Sequence, residues 1–253
     1  MLERNGVRVY YEDHGEGIPI LLTHGYAASS RMWQGQVEAF SGDYRLITWD
    51  QRGHGQSDSP EDLSEYGESV ALDDMAALLD TCGIERAVIG GHSLGGYLSL
   101  AFLLEYPERV RALVLLGAGP GYRSDEAREG WNEYCEERAQ AFDDKGLDAL
   151  GKGTEVQDAR HRSAEGLARA ARGTMKQVDA RVMDSLKGIV TPTLVVVGEK
   201  DRTFLAASDY MAKKIPSAVR VVIEDAGHAA NMHQPEAFNA ALRTFLTGRL
   251  GKR

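Results

Sequence analysis

A serine flanked by glycines is the first feature of the sequence that could carry out chemistry. Ser93 is the central residue of a G-x-S-x-G pattern over residues 91–95, between a strand-like run and a helix-like run. A sharp strand-to-helix turn projects such a hydroxyl above a sheet, and glycines two positions away avoid a clash. The N–H groups of the following helix can meet developing negative charge. The pattern predicts that Ser93 is a nucleophile, with a glycine-rich packing turn as the alternative.

A serine hydroxyl needs a general base, and His228 is the predicted one. It follows the last predicted strand, residues 219–223, on a short loop from which an imidazole could reach over the sheet. There it could take the proton from Ser93 and pass it to the leaving group. Position after the final strand favours His228 over the other histidines, which are His14, His24, His54, His92, His161 and His233.

The base in turn needs a carboxylate to orient it, and Asp201 is the predicted one. It follows the apolar run over residues 194–197, whereas Glu199 and Asp225 are alternatives in neighbouring positions. The order Ser93, Asp201, His228 is the chain order of one known class of catalytic triad.

Acyl transfer also needs donors for the oxyanion that forms on the substrate. The backbone amide of Leu94 is one predicted donor, because it follows the nucleophile. The amide of Tyr26 is the other, on the loop after an early strand, where Gly25 would allow close approach.

Alternating strands and helices are expected to hold these residues. Apolar runs typical of strands covered on both faces occur at 18–23, 44–49, 87–91, 110–116, 192–198 and 219–223, with an edge strand at 7–11. Helical patterns lie between them, which predicts a doubly wound, mostly parallel α/β sheet. The alternation stops over residues 122–187, which are predicted to form a helical insertion into a core of residues 1–121 and 188–253.

The ordered motifs together resemble the α/β-hydrolase superfamily over essentially the whole chain. They are His24-Gly25, D-x-R-G-x-G-x-S at 50–57, the Ser93 pattern, residues 198–201 and Gly227-His228. The resemblance implies an α/β-hydrolase fold with a small helical cap inserted after strand 6. It also implies a structural role for Arg52 as a loop staple, with Asp50 as its partner.

The resemblance further implies that residues 122–187 cover the pocket of Ser93. Candidate pocket residues are therefore the large apolar side chains of this insertion and of the loop after Tyr26, namely Trp131, Tyr134, Phe142, Met175, Met32 and Trp33. Each of these side chains could instead pack in the core.

The predicted function is hydrolysis of a carboxylic ester or lactone through an acyl-Ser93 intermediate, as in carboxylesterases and enol-lactonases. One alternative is a carbon–carbon bond hydrolase or a lyase with the same triad, which would need a group to bind a substrate carboxylate or second oxygen function. Candidates for that group are Arg123, Arg128, Arg138 and Arg172. A second alternative is a ligand receptor or regulatory protein of the same fold. Serine at position 93 argues against opening of epoxides or haloalkanes, which requires a carboxylate nucleophile.

Composition limits the partners. The 253 residues are 43% hydrophobic and 26% charged, with a formal net charge of −9 that disfavours nucleic acid and anionic membranes. There is no apolar run of 18 residues and no signal-peptide pattern, and the two cysteines form no CxxC pair. We expect a cytoplasmic enzyme acting on a small molecule without cofactor or metal, and a solvated tail at Lys252-Arg253.

Overall fold

A seven-stranded sheet lies at the centre of the computed structural model, which describes residues 1–251. Its strands in spatial order are β3, β5, β4, β6, β7, β8 and β9, and all pairs are parallel except the β3–β5 pair at one edge. In chain order the strands are β1 (Leu2–Arg4), β2 (Val7–Val9), β3 (Tyr11–His14), β4 (Ile18–Thr23), β5 (Tyr44–Trp49), β6 (Ala87–His92), β7 (Val110–Leu116), β8 (Thr193–Gly198) and β9 (Ala218–Ile223). The predicted mostly parallel, doubly wound sheet is confirmed.

Helices cover both faces of this sheet. They are α1 (Gln34–Phe40), α2 (Glu68–Thr81), α3 (Leu94–Glu105), α4 (Asp125–Lys145), α5 (Thr154–Asp158), α6 (Ala164–Arg172), α7 (Arg181–Ser185), α8 (Leu205–Lys214), α9 (Ala230–His233) and α10 (Pro235–Leu250). Within residues 1–251, none of these helices has the length and apolarity needed to cross a bilayer. The predicted tail at Lys252-Arg253 lies outside the described residues.

The continuous apolar runs arise because each central strand is buried on both faces. In β4, Leu21 enters one core cluster, whereas Ile20 and Leu22 enter the cluster on the opposite face. All three side chains are almost completely buried. Successive side chains of a strand point to opposite faces, so helices on both sides demand apolar residues at every position.

The predicted single edge strand over residues 7–11 is instead two short strands, β2 and β3, separated at Tyr10. The Tyr10 amide donates to Ser57 Oγ at 2.8 Å, and its carbonyl accepts from the Asp50 amide. The amide and the carbonyl of Tyr10 are therefore bonded to residues 50 and 57 and do not continue the pairing of β2 with β1. As a result β2 pairs with β1 in a small separate sheet, and only β3 joins the central sheet.

Residues 117–192, between β7 and β8, contain helices and turns but no strand. The strand before this segment, predicted as the sixth, is β7 in chain order because the N-terminal stretch forms additional short strands. Helix α4 packs against α6, and buried Phe142 and Leu167 join them to the core beneath. The helical content predicted for this part of the chain is therefore correct.

The predicted pairing of Arg52 with Asp50 is wrong. Arg52 makes two hydrogen bonds to the carboxylate of Asp74 on α2, at 2.7 and 2.9 Å, and both side chains are buried. Asp50 instead accepts from the backbone amides of Ser30 and Gln56 at 2.7 and 2.8 Å. Arg52 still joins its loop to the body of the fold, but it does so through a helix 22 positions away.

Candidate active site

Ser93 lies in the turn between β6 and α3, with a strained backbone. Its φ of 52° falls in the left-handed region, which a residue with a side chain rarely adopts. The Ser93 amide donates to the Leu116 carbonyl on the neighbouring strand at 2.9 Å, which holds the turn in place. A Cβ at Gly91 would collide with the backbone of Gly95, and one at Gly95 with the carbonyl of Thr23. The crowding explains why both flanking positions must be glycine.

His228 and Asp201 are in direct contact at the carboxyl end of the sheet. His228 Nδ1 lies 2.7 Å from Asp201 Oδ2, and the Asp201 side chain is only 4% exposed. Because the carboxylate can only accept, Nδ1 carries the proton and Nε2 is left as the basic nitrogen. His228 and Ser93 line the same cavity. The three residues predicted for a triad are thus brought to one edge of the sheet.

Two further rings, which the sequence analysis did not assign to the site, fix the plane of His228. Phe204 stacks on one side, with ring centroids 4.9 Å apart and an interplanar angle of 17°. His92 lies 4.3 Å from the His228 ring, and its Nε2 is 3.2 Å from the His228 carbonyl. Burial lowers the pKa of His92 well below its ordinary value, so His92 places no second positive charge beside the base. The sequence does contain a signal for both rings, because each is close in the chain to a predicted triad residue. His92 directly precedes Ser93, and Phe204 follows Asp201 by three residues.

The alternative acids and bases are engaged elsewhere. Glu199 Oε2 accepts from the Asp225 amide at 3.1 Å, and Asp225 pairs with Lys200 at the surface. His14 pairs with Glu12 on the edge strand β3. None of these contacts involves Ser93 or His228.

The residues that carry the two predicted oxyanion donors lie close to Ser93. Tyr26, Ser93 and Leu94 line one cavity of about 330 Å³. Within residues 1–251, neither the Tyr26 nor the Leu94 amide donates to a protein acceptor. A Cβ at Gly25 would lie 3.1 Å from Ser93 Cβ and 2.7 Å from His92 Nδ1, so only glycine lets this loop approach the turn so closely.

Two imidazoles hold Ala27, the residue after Tyr26, in a left-handed conformation with φ of 57°. The Ala27 amide donates to His54 Nε2 at 3.1 Å, and the Ala27 carbonyl lies 2.9 Å from His161 Nε2. His161 Nδ1 also accepts from the Gly55 amide at 3.1 Å, so its Nε2 must be the protonated donor. His161, from the segment between α5 and α6, therefore positions the loop that carries the Tyr26 amide. No local pattern identifies this role, because its partners are more than 100 positions away.

His24 lies beneath the same loop as a neutral, fully buried imidazole. Its Nε2 accepts from the Gln51 amide at 3.0 Å, and its Nδ1 lies 2.7 Å from the Gly25 carbonyl. Burial lowers the pKa of His24 to about 4.

The free energy of unfolding should therefore decrease as pH falls from about 6.5 towards 4. Above that range His24 is neutral in both states, whereas near pH 5 only the unfolded chain, with an ordinary histidine pKa of about 6.5, binds the proton. For His24 alone the loss at pH 5 is on the order of 2 kcal/mol. Urea denaturation at pH 7.5 and pH 5 measures it. His24→Asn should show a smaller difference between the two pH values, and an unchanged difference would contradict the assignment.

Ser93 lines two adjoining cavities, of about 580 and 330 Å³. Trp131 and Met175 line both of them, and Tyr134 lines the larger one. Trp131 Nε1 donates to the Met175 carbonyl at 2.9 Å, which fixes the position of the indole in the cavity lining. These three predicted pocket residues are thus brought to the cavities around the nucleophile.

The prediction that Trp33 lines the pocket is wrong. Its side chain is fully buried in the core cluster on the far face of the sheet, where it packs against Phe238. Met32 belongs to the same cluster, and Phe142 is buried under Tyr26 in the other one. Residues 30–33 form a short helical turn whose Met32 and Trp33 side chains are buried in that core cluster.

Comparison with known proteins gives consistent similarities. A family model described as the alpha/beta hydrolase fold matches residues 18–151. The chain is 31% identical over 241 residues to 3-oxoadipate enol-lactonase 1 of Acinetobacter baylyi, covering 87% of this chain and 85% of that protein. It is 28% identical over 264 residues to a putative 2-succinyl-6-hydroxy-2,4-cyclohexadiene-1-carboxylate synthase of Bacillus subtilis, with 96% of each covered. The solved structure of a thermophilic esterase from Thermogutta terrifontis superposes with a TM-score of 0.82 at 31% identity, covering 96% of this chain and 94% of the esterase.

Proposed function

Since the chain belongs to the α/β-hydrolase fold family, we propose that it is a serine hydrolase that cleaves a carboxylic ester or lactone through an acyl-Ser93 intermediate. The observation that carries this proposal is the 2.7 Å contact between His228 and Asp201 on the cavity that Ser93 also lines. The similarity to an enol-lactonase and an esterase supports the same reaction class.

Each residue then has one role in acyl transfer. Ser93 Oγ forms a bond to the acyl carbon, and its proton moves to His228 Nε2. The amides of Tyr26 and Leu94 stabilise the oxyanion, after which the bond to the leaving oxygen breaks and that oxygen receives the proton from His228. Water, deprotonated by His228, releases the acid from Ser93. Asp201 stabilises the imidazolium at both stages and stays ionised.

In the same proposal, residues 122–187 act as a cap on a core of residues 1–121 and 188–253. Helix α4 contributes Trp131 and Tyr134 to the larger cavity, and Met175 follows α6. The cap is joined to the core beside the site, because Tyr26 Oη donates to the Leu167 carbonyl at 2.9 Å. A small-molecule substrate fits a cavity of this size. A cytoplasmic location stays a prediction from the sequence.

A carbon–carbon bond hydrolase or lyase is the second candidate, favoured by the similarity to a carboxylate synthase. The four arginines considered for a substrate carboxylate are engaged elsewhere: Arg123 pairs with Asp184, Arg128 with Asp125, and Arg172 with Glu136. Arg138 donates to the Ala149 carbonyl. In the described part of the chain, neither cavity at Ser93 is lined by arginine or lysine. This charge distribution favours the ester or lactone over an anionic substrate.

A fluorophosphonate probe and p-nitrophenyl acetate test the proposal. We expect the probe to label the protein once, on the peptide that contains Ser93, and to abolish hydrolysis of the ester in proportion to labelling. Absence of labelling would overturn the nucleophile. If the probe labelled Ser93 but the protein hydrolysed neither p-nitrophenyl esters nor lactones, ester hydrolysis would be overturned. That result would favour the carbon–carbon bond hydrolase or lyase.

A further inference from the structure

A buried carboxylate lines the larger cavity at Ser93, and the mechanism above does not use it. Glu155, on α5, is 7% exposed and shares the cavity with Ser93 and His228. Among the residues that the structure describes, no hydrogen-bond donor or cation engages this carboxylate. The carboxylate oxygens of Glu155 are not among the fully buried polar atoms that lack a partner, so a cation in the cavity can approach them and is attracted by their charge.

The other polar residues of α5 do have partners, and these hold the helix in place. Thr154 Oγ1 lies 2.9 Å from His233 Nε2, and the Asp158 carbonyl accepts from Arg31 at 3.1 Å. Gln157 donates to the Gly151 carbonyl at 2.7 Å. Glu155 is therefore presented to the cavity by a helix that is fixed on both sides.

Aromatic rings line the same cavity. Trp131 lies between Tyr134 and Tyr122, with ring centroids at 5.5 and 6.1 Å, and all three residues line the cavity with Glu155. Tyr122 and Tyr134 are partly exposed, which places them at the mouth. Faces of tryptophan and tyrosine attract cations, and such groups of rings bind quaternary ammonium ions.

We propose that Glu155 and these rings form a subsite for an alkylammonium group carried by the ester substrate. The inference rests on the proposed ester hydrolysis and specifies its substrate class. Glu155 supplies the counter-charge, the rings supply a cation–π surface, and no lining arginine or lysine among the described residues repels the cation. An ester that bears a carboxylate is disfavoured by the same charge.

Two esters of the same shape test the subsite. Acetylcholine and 3,3-dimethylbutyl acetate differ only in replacing the quaternary nitrogen by carbon, so the change in their ratio of kcat/KM between wild type and variant isolates the interaction of the charge with Glu155. We expect the wild-type protein to favour acetylcholine by roughly tenfold, mainly through KM, as a desolvated cation site would. Glu155→Gln, which keeps the side-chain shape, should lower this ratio to about two. The control Glu85→Gln removes an exposed carboxylate before β6 and should leave the ratio unchanged.

The ratio does not depend on the fraction of protein that is folded, so partial misfolding of a variant cannot imitate the effect. A wild-type ratio near one, or an unchanged ratio in Glu155→Gln, would overturn the subsite and leave ester hydrolysis standing. The same conclusion would follow if p-nitrophenyl acetate were hydrolysed and acetylcholine were not. If none of the three esters and no lactone were hydrolysed, the proposed function would be overturned, and the subsite with it.

Discussion

Replacement of Ser93 by alanine is expected to lower kcat for ester hydrolysis by about 10⁶-fold, because no other group takes the place of its hydroxyl. The substitution keeps Cβ, so the strained backbone at φ of 52° is no less tolerable for alanine. The hydrogen bond from the amide of residue 93 to the Leu116 carbonyl is also retained. The loss should therefore be chemical, with a free energy of unfolding within about 1 kcal/mol of the wild-type value.

Steady-state hydrolysis of p-nitrophenyl acetate and urea denaturation, both on the purified variant, measure these two quantities. A small rate above that of water should survive, because the Tyr26 and Leu94 amides still stabilise the oxyanion when water attacks. If Ser93→Ala kept more than about one per cent of wild-type kcat, the acyl-Ser93 intermediate would be excluded.

Replacement of Asp201 by asparagine is expected to lower kcat by about 10⁴-fold. The buried Asp201 Oδ2 accepts the Nδ1 proton of His228 at 2.7 Å, and an amide group in its place would favour the tautomer whose proton is on Nε2. In that tautomer His228 cannot accept the proton of Ser93. The weak bond from the Phe204 amide to Oδ1, at 3.4 Å, can still be made to an asparagine oxygen.

Glu199→Gln is the matched control for this prediction, since it makes the same chemical change two residues earlier. Glu199 is exposed and accepts from the Asp225 amide, away from His228, so kcat should change by less than about twofold. Initial rates at saturating p-nitrophenyl acetate compare the two variants. A larger loss in Glu199→Gln than in Asp201→Asn would reassign the orienting carboxylate to Glu199.

Much of the fold follows from local patterns in the sequence. The apolar runs predict β4, β5 and β7 with the bounds observed, because strands buried on both faces are apolar at most of their positions. The ends of β6, β8 and β9 also predict where Ser93, Asp201 and His228 would gather, since the carboxyl ends of parallel strands share one edge of the sheet.

Contacts between distant residues could not be predicted in this way. Arg52 bonds to Asp74 and not to Asp50, and Trp33 faces the core and not the cavity. Glu155 and His161 have no recognisable motif, and their roles depend on which part of the core the helical segment covers. The sequence by itself determined the central sheet and the fold family, and it predicted which residues lie at the strand ends. Only the tertiary structure decided which charges line the cavity, because burial and long-range packing select those partners and leave no periodic signal in the chain.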